Sequence, residues 1–227
     1  MTGDTRSEVV NTLADTVTAL RVAHPTRVAV EGRSAAGKTT FADDLAAAVR
    51  ARGREVIRAS IDDFHRPGHK DRSQRGAWTP RSYYDEGYDY GAFRDLLLQP
   101  LGPGGSRRCR LALFDAFHDA WLPEEWRVVG DEAVAIIDGA FLLRPELAGH
   151  WDYVIWLDID WETMVLRARN RDVAWVGSAQ VVEERYRRHW IPTHERYERL
   201  TGGSSSAHAV VDNRCAEAPR LLRLAPP

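Results

Sequence analysis

Cysteine is scarce in this 227-residue chain: Cys109 and Cys215 are too few and too far apart for a disulfide framework or a cysteine zinc site. Charge of one sign is also missing. With 31 basic and 33 acidic residues the formal net charge is -2, which gives no reason to expect a nucleic-acid or membrane-surface partner. Apolar runs stay far short of the ~20 residues that span a bilayer. The opening MTGDTRSEVV has no apolar stretch of the kind a secretory signal needs, so a cytoplasmic protein is expected. There is no internal repeat and no long linker. The Gly- and Ser-rich breaks at 101–106 and 201–206 are too short to separate independent domains, so residues 1–227 are expected to form one domain. No feature specifies an oligomer.

What remains is a globular composition, 44% hydrophobic and 28% charged. Val9, Val10, Leu13, Val17 and Leu20 recur at helical spacing, which predicts a helix over 8–22 that Pro25 ends. Short apolar runs predict strands at 27–32, 55–60, 109–114, 133–138, 153–159 and 208–212. Helices are expected from Lys38 to Arg52, from Tyr90 to Pro100, over 161–171 and over 178–199, with a helical tail at the end of the chain. Strands alternating with helices imply a mainly parallel sheet with right-handed crossovers. Ligands of such sheets sit beyond the carboxyl ends of the strands, which here singles out 32–39, 61–65, 114–118 and 138–141.

The first of these stretches carries the sharpest pattern. Gly32-Arg33-Ser34-Ala35-Ala36-Gly37-Lys38-Thr39 fits G-x-x-x-x-G-K-[ST] between a predicted strand and a predicted helix. Glycine permits positive φ and close backbone approach, so successive N–H groups, Thr40 included, can converge on phosphate oxygens. The positive end of the following helix adds to this. Lys38 is expected to reach the β- and γ-phosphates of ATP, and the Thr39 hydroxyl to bind Mg²⁺. Asp138 closes the strand AVAIID and can hold the hydrated Mg²⁺ opposite Thr39. Asp62 and Asp63 lie just past the second strand. A carboxylate there can orient an acceptor hydroxyl and take its proton, a role expected of Asp62.

Taken together, Gly32–Thr39, SIDDFHRP, EGYDYGAFRDLL, IIDGAFLL and RARNRD make the chain resemble the uridine kinase and phosphoribulokinase group of P-loop kinases, in order and spacing over about residues 26–213. The resemblance implies a P-loop NTPase fold of three α/β/α layers, with a mainly parallel five-stranded sheet and a small helical lid at about 167–190. It implies an ATP-dependent kinase acting on a small-molecule hydroxyl, in the first place the 5′-hydroxyl of a pyrimidine nucleoside. Asp62 then maps to the general base, Asp89 to the group holding ribose hydroxyls and His65 to a pocket tyrosine. Tyr88, Phe114 and His118 would contact the base, while Arg167 and Arg171 match lid arginines that neutralise the moving phosphoryl. The chain departs from the group where Y-D-[FH]-x-x-H reads Phe114-Asp115-Ala116-Phe117-His118, and where AWVGSAQ replaces a second basic cluster.

His65 and His69 lie four apart, but Pro67 and Gly68 between them argue against a helix, so they are not read as a zinc pair. Two alternatives stay open. One is a kinase of another hydroxylated metabolite, such as a sugar, a pantothenate-like molecule or a natural product. The other is a nucleotide hydrolase acting as a switch.

Overall fold

A computed structural model describes residues 5–226. Its centre is a six-stranded sheet. The strands are β1 (Thr26–Gly32), β2 (Val56–Ser60), β3 (Val134–Asp138), β4 (Tyr153–Asp158), β5 (Ala209–Asp212) and β6 (Arg220–Leu224), in spatial order β6-β5-β4-β1-β3-β2. The first five run parallel, and β6 pairs antiparallel with β5.

Strands β1 and β3 are buried along their whole length, as central strands of a covered parallel sheet must be. Side chains of β1, β3 and β4 alternate between two cores. Val28, Val30, Ile136, Ile155 and Leu157 face one side with helix α1 (Arg6–Ala19) and helix α2 (Lys38–Ala51). Ala29, Ile137 and Trp156 face the other, with Phe93, Leu97, Leu147 and Tyr197. Each fully buried large aliphatic or aromatic side chain contributes about 1.5–3 kcal/mol, and the period of two is what makes three layers from one sheet.

Local signals explain the ends of the helices. Thr5 and Glu8 form a capping box at the start of α1. Helix α2 starts directly after Gly37, whose left-handed φ of 85° turns the chain from the phosphate-loop sequence into the first helical turn. Helix α3 (Trp161–Val176) starts on an Asp160 cap and stops at Gly177. Helix α4 (Ala179–Arg185) continues through a π-helical turn, Tyr186–Trp190, into helix α5 (Ile191–Thr201).

Two expectations fail. The run 109–114 does not enter the sheet: Arg108–Cys109 pairs with Arg127–Val128, and Phe114–Asp115 pairs with Ala120–Trp121 in a small hairpin. Between them the backbone is taken by other partners, Arg110 N–H by Leu96 O and Leu113 N–H by Asp63 O. The tail is strand β6 rather than helix, because the free edge of β5 offers a ladder of backbone partners that a short isolated helix cannot match.

Candidate functional site

The register of the sheet brings the chemistry together. Asp138 ends β3 level with Val30 of β1 and Ser60 of β2, so the segments leaving all three strands open on one crevice. There a cavity of about 480 Å³ has Ser34, Ala35, Gly37, Lys38, Thr39 and Thr40 along one wall. Asp62, His65, His69, Ser73, Tyr83 and Tyr88 stand along a second, and Arg167, Arg171, Asp172, Tyr186 and Trp190 along a third.

Gly32 fits tightly at the entrance to the loop. A Cβ there would stand 2.4 Å from Leu157 O, and its φ is 148°. Lys38 Nζ donates to Gly32 O at 3.0 Å and Arg33 O at 2.9 Å, which holds the side chain over the loop. Burial pulls the ammonium pKa below its ordinary value, while the carboxylates of Glu31, Asp62 and Asp138 act in the opposite direction. The Thr39 hydroxyl donates to Asp138 Oδ2 at 2.7 Å, and Arg58 donates to Asp138 Oδ1 at 2.8 Å. A hydroxyl and a carboxylate at this spacing, beside a lysine over a glycine-bounded loop, are the hard oxygen donors that suit a Mg²⁺ carried by a nucleotide. The residues present therefore fit ATP and Mg²⁺.

Not every residue of the loop reaches the cavity. The Arg33 side chain turns away: it pairs with Glu198 at 2.7 Å, bonds Ile159 O and stacks over the Trp161 ring at 3.7 Å. Ala36 is fully buried, its carbonyl accepting from Asn213 Nδ2 at 2.7 Å. Arg167 donates to Asn213 O at 2.7 Å and so ties α3 to the same loop.

On the second wall, Asp62 and Asp63 part company. Asp62 lines the cavity and accepts from the Tyr88 hydroxyl at 3.0 Å, whereas Asp63 does not line it. Burial, with Asp62, Asp138 and Asp115 nearby, pushes the Asp63 carboxyl up to about 6. On the third wall, Arg171 forms a fork with Asp172 at 2.6 Å and 3.2 Å and also donates to the Tyr186 hydroxyl.

Three residues expected at the acceptor lie elsewhere. Asp89 Oδ1 accepts Ala92 N–H at 2.9 Å and caps the short helix Tyr90–Phe93, a use of aspartate that sequence spacing does not separate from ligand binding. Phe114 is buried against Trp121 in the hairpin, and His118 is exposed at its turn, paired with Asp115 at 2.6 Å. None of the three lines the cavity.

Sequence reading missed Glu31. It is fully buried beneath the loop, where Oε1 accepts Gly32 N–H at 2.8 Å and Oε2 accepts Leu142 N–H and, at 2.9 Å, the Tyr197 hydroxyl. His194, also on α5, accepts Ser34 N–H through Nε2 at 3.1 Å. His194, Tyr197 and Glu198 share one face of that helix and fasten it to the loop. The only signal in the sequence was an acid closing an apolar strand.

Burial raises the Glu31 carboxyl from 4.5 to about 7, against the opposing pull of Lys38 and the three bonds it accepts. A raised folded-state pKa contributes stability below the unfolded value, and that contribution is lost as pH rises through the folded value. The wild type is therefore expected to lose about 3 kcal/mol of stability from this group between pH 4.5 and 7. Glu31→Gln should lack that slope. Urea denaturation of both proteins at pH 5 and 8 checks this: parallel pH dependence would refute it.

Strand order, phosphate loop and the Thr39–Asp138 pair define a P-loop nucleotide-binding fold. More narrowly, the fold is that of the uridine kinase-like P-loop kinases. A provisionally named uridine kinase from Bacillus stearothermophilus superposes with a TM-score of 0.68 at 20% identity, over 88% of this chain and 96% of that one. A provisionally named fructose transport system kinase from Silicibacter sp. TM1040 gives 0.69 at 25% identity, over the same shares. A D-glycerate 3-kinase from Cryptococcus neoformans gives 0.55 at 13% identity, over 86% and 88%. The sequence matches no protein-family model and no curated protein.

Proposed function

We propose that the protein is an ATP-dependent kinase that transfers the γ-phosphate to a hydroxyl of a small molecule. The observation that carries this reading is Asp62 on the wall of the cavity that also holds Lys38 and the Thr39–Asp138 pair. A nucleotide hydrolase would have to position water, whereas Asp62 lines the cavity beside the Tyr83 and Tyr88 side chains, which can meet an organic acceptor.

Thr39 and Asp138 would hold Mg²⁺, which when bound screens the charge of the β- and γ-phosphates. Lys38 and the loop N–H groups orient the triphosphate. Asp62 accepts the proton of the acceptor hydroxyl as the new O–P bond forms and the β–γ bridging bond breaks, so that ADP leaves. The Tyr88 hydroxyl keeps Asp62 aimed, since burial raises its pKa well above the ordinary value and it stays a donor. Arg171, held by Asp172, faces the same space as a fixed positive charge. Helices α3 and α4, over the expected lid at 167–190, would close on bound nucleotide and exclude water.

The finer reading, a pyrimidine nucleoside phosphorylated at its 5′-hydroxyl, keeps Asp62, His65 and Tyr88 at the cavity and loses Asp89, Phe114 and His118 from it. The reaction is tested by incubating the protein with ATP, Mg²⁺ and a panel of alcohols. ADP should form in step with a product one phosphate heavier. Hydrogen exchange should slow over 160–190 only with nucleotide and acceptor together. ADP release without phosphorylation of any acceptor would overturn the reading in favour of a hydrolase.

A further inference from the structure

Among the described residues, two imidazoles on the second wall have nitrogen atoms without a hydrogen-bond partner. These are Nε2 of His65, a residue only 7% exposed, and Nδ1 of His69. Unpaired buried polar atoms carry a cost that a ligand can remove. Both residues line the cavity, with ring centroids 3.8 Å apart. His65 and His69 therefore meet although only His69 is helical, in the short helix His69–Gln74 that Gly68 opens.

The bonds on the far side of each ring fix what the free atoms offer. His65 Nδ1 lies 2.6 Å from Asp62 O, a carbonyl that can only accept, so Nδ1 carries the proton and Nε2 presents a lone pair. Ser73 Oγ accepts from Trp78 Nε1 at 3.0 Å and can give its own proton to His69 Nε2 at 3.4 Å, in which case His69 Nδ1 is a donor. Burial holds both imidazole pKa values below their ordinary range, that of His69 at about 3, so neither ring is a cation at neutral pH. An acceptor beside a donor, both uncharged, matches hydroxyl groups, each of which gives and takes one bond.

The rest of the cavity narrows the ligand. Tyr83 and Trp190, with ring centroids 4.3 Å apart, supply an aromatic surface. Among the described residues the lining cations are Lys38 and Arg171, which the kinase reading gives to the triphosphate, and Arg167, which donates to Asn213 O. None is set aside for a second carboxylate or phosphate. Among the described residues that line the cavity there is no Asn or Gln to read the edge of a base. Resting on the kinase reading, we propose that the acceptor is an uncharged sugar-like polyol. His65 Nε2 and His69 Nδ1 hold hydroxyls next to the one that Asp62 deprotonates, and Tyr83 and Trp190 cover its C–H face.

The test uses the full chain with ATP and Mg²⁺ and compares fructose, ribose and glucose with uridine, cytidine and glycerate. A neutral sugar should be phosphorylated with a kcat/KM at least about tenfold above those of the nucleosides and the acid. His65→Ala and His69→Ala should each raise the KM for that sugar about tenfold and leave the KM for ATP within about twofold. His65→Asn and His69→Gln, checked by thermal melting, stand in for any alanine variant that unfolds. An unchanged sugar KM in a folded variant would overturn the proposal. Preference for a nucleoside or glycerate would also overturn it while leaving the kinase reading intact. ATP hydrolysis with no acceptor phosphorylated would overturn the kinase reading itself.

Discussion

Lys38→Ala is expected to lower kcat by about 10²–10³-fold, the largest loss any single substitution in the phosphate loop should produce. The Lys38 side chain is half-buried, and among the described residues its ammonium donates to the carbonyls of Gly32 and Arg33. A desolvated charge acts on the transferring phosphoryl with little solvent screening, so its removal is felt in the transition state more than in binding. Lys38→Arg should recover little, because a planar guanidinium cannot reproduce a compact point charge in a loop this tight. Steady-state turnover with saturating ATP checks both variants. Turnover within a few-fold of wild type in Lys38→Ala would remove Lys38 from the reaction.

Asp62→Asn is expected to cost about 10²–10⁴-fold in kcat while the KM for ATP stays near its wild-type value. The amide keeps the shape and can still accept from the Tyr88 hydroxyl, but it cannot take up a proton. Asp63→Asn serves as the internal comparison. Asp63 stands off the cavity, and its carboxyl titrates at about 6 because burial and neighbouring carboxylates disfavour its charge. Its neutralisation should leave turnover within a few-fold and relieve that repulsion above pH 6. If Asp63→Asn is the more damaging change, the base has been assigned to the wrong member of the pair.

Features written in contiguous residues were legible in the sequence. The loop 32–39, the carboxylate at 138 and the acid after β2 each follow a strand, and a parallel sheet sends all strand ends to one side. The apolar run CRLALF was misread because β-propensity reports fit to a pleated surface, not which backbone supplies the partners. Asp89 shows the limit of spacing, because a carboxylate that caps a helix and one that grips a sugar are the same residue type in the same loop. His69, Ser73, Tyr83 and Trp190 meet only in three dimensions, so no spacing announces them. Glu31 escaped because its partners Leu142 and Tyr197 lie far along the chain.

Strand β6 does more than extend the sheet. A parallel strand left at the rim, as β5 would be, offers a bare row of N–H and C=O groups on which another chain can polymerise. β6 covers that rim, and it is itself a poor template: its pairing slips between Leu221 and Arg223, and it carries arginines at 220 and 223. The same hairpin carries Asn213, whose amide steadies Ala36 at the back of the phosphate loop. One short antiparallel strand thus links the cover on the rim with the firmness of the phosphate loop, so damage to the rim would be felt at Ala36 as well.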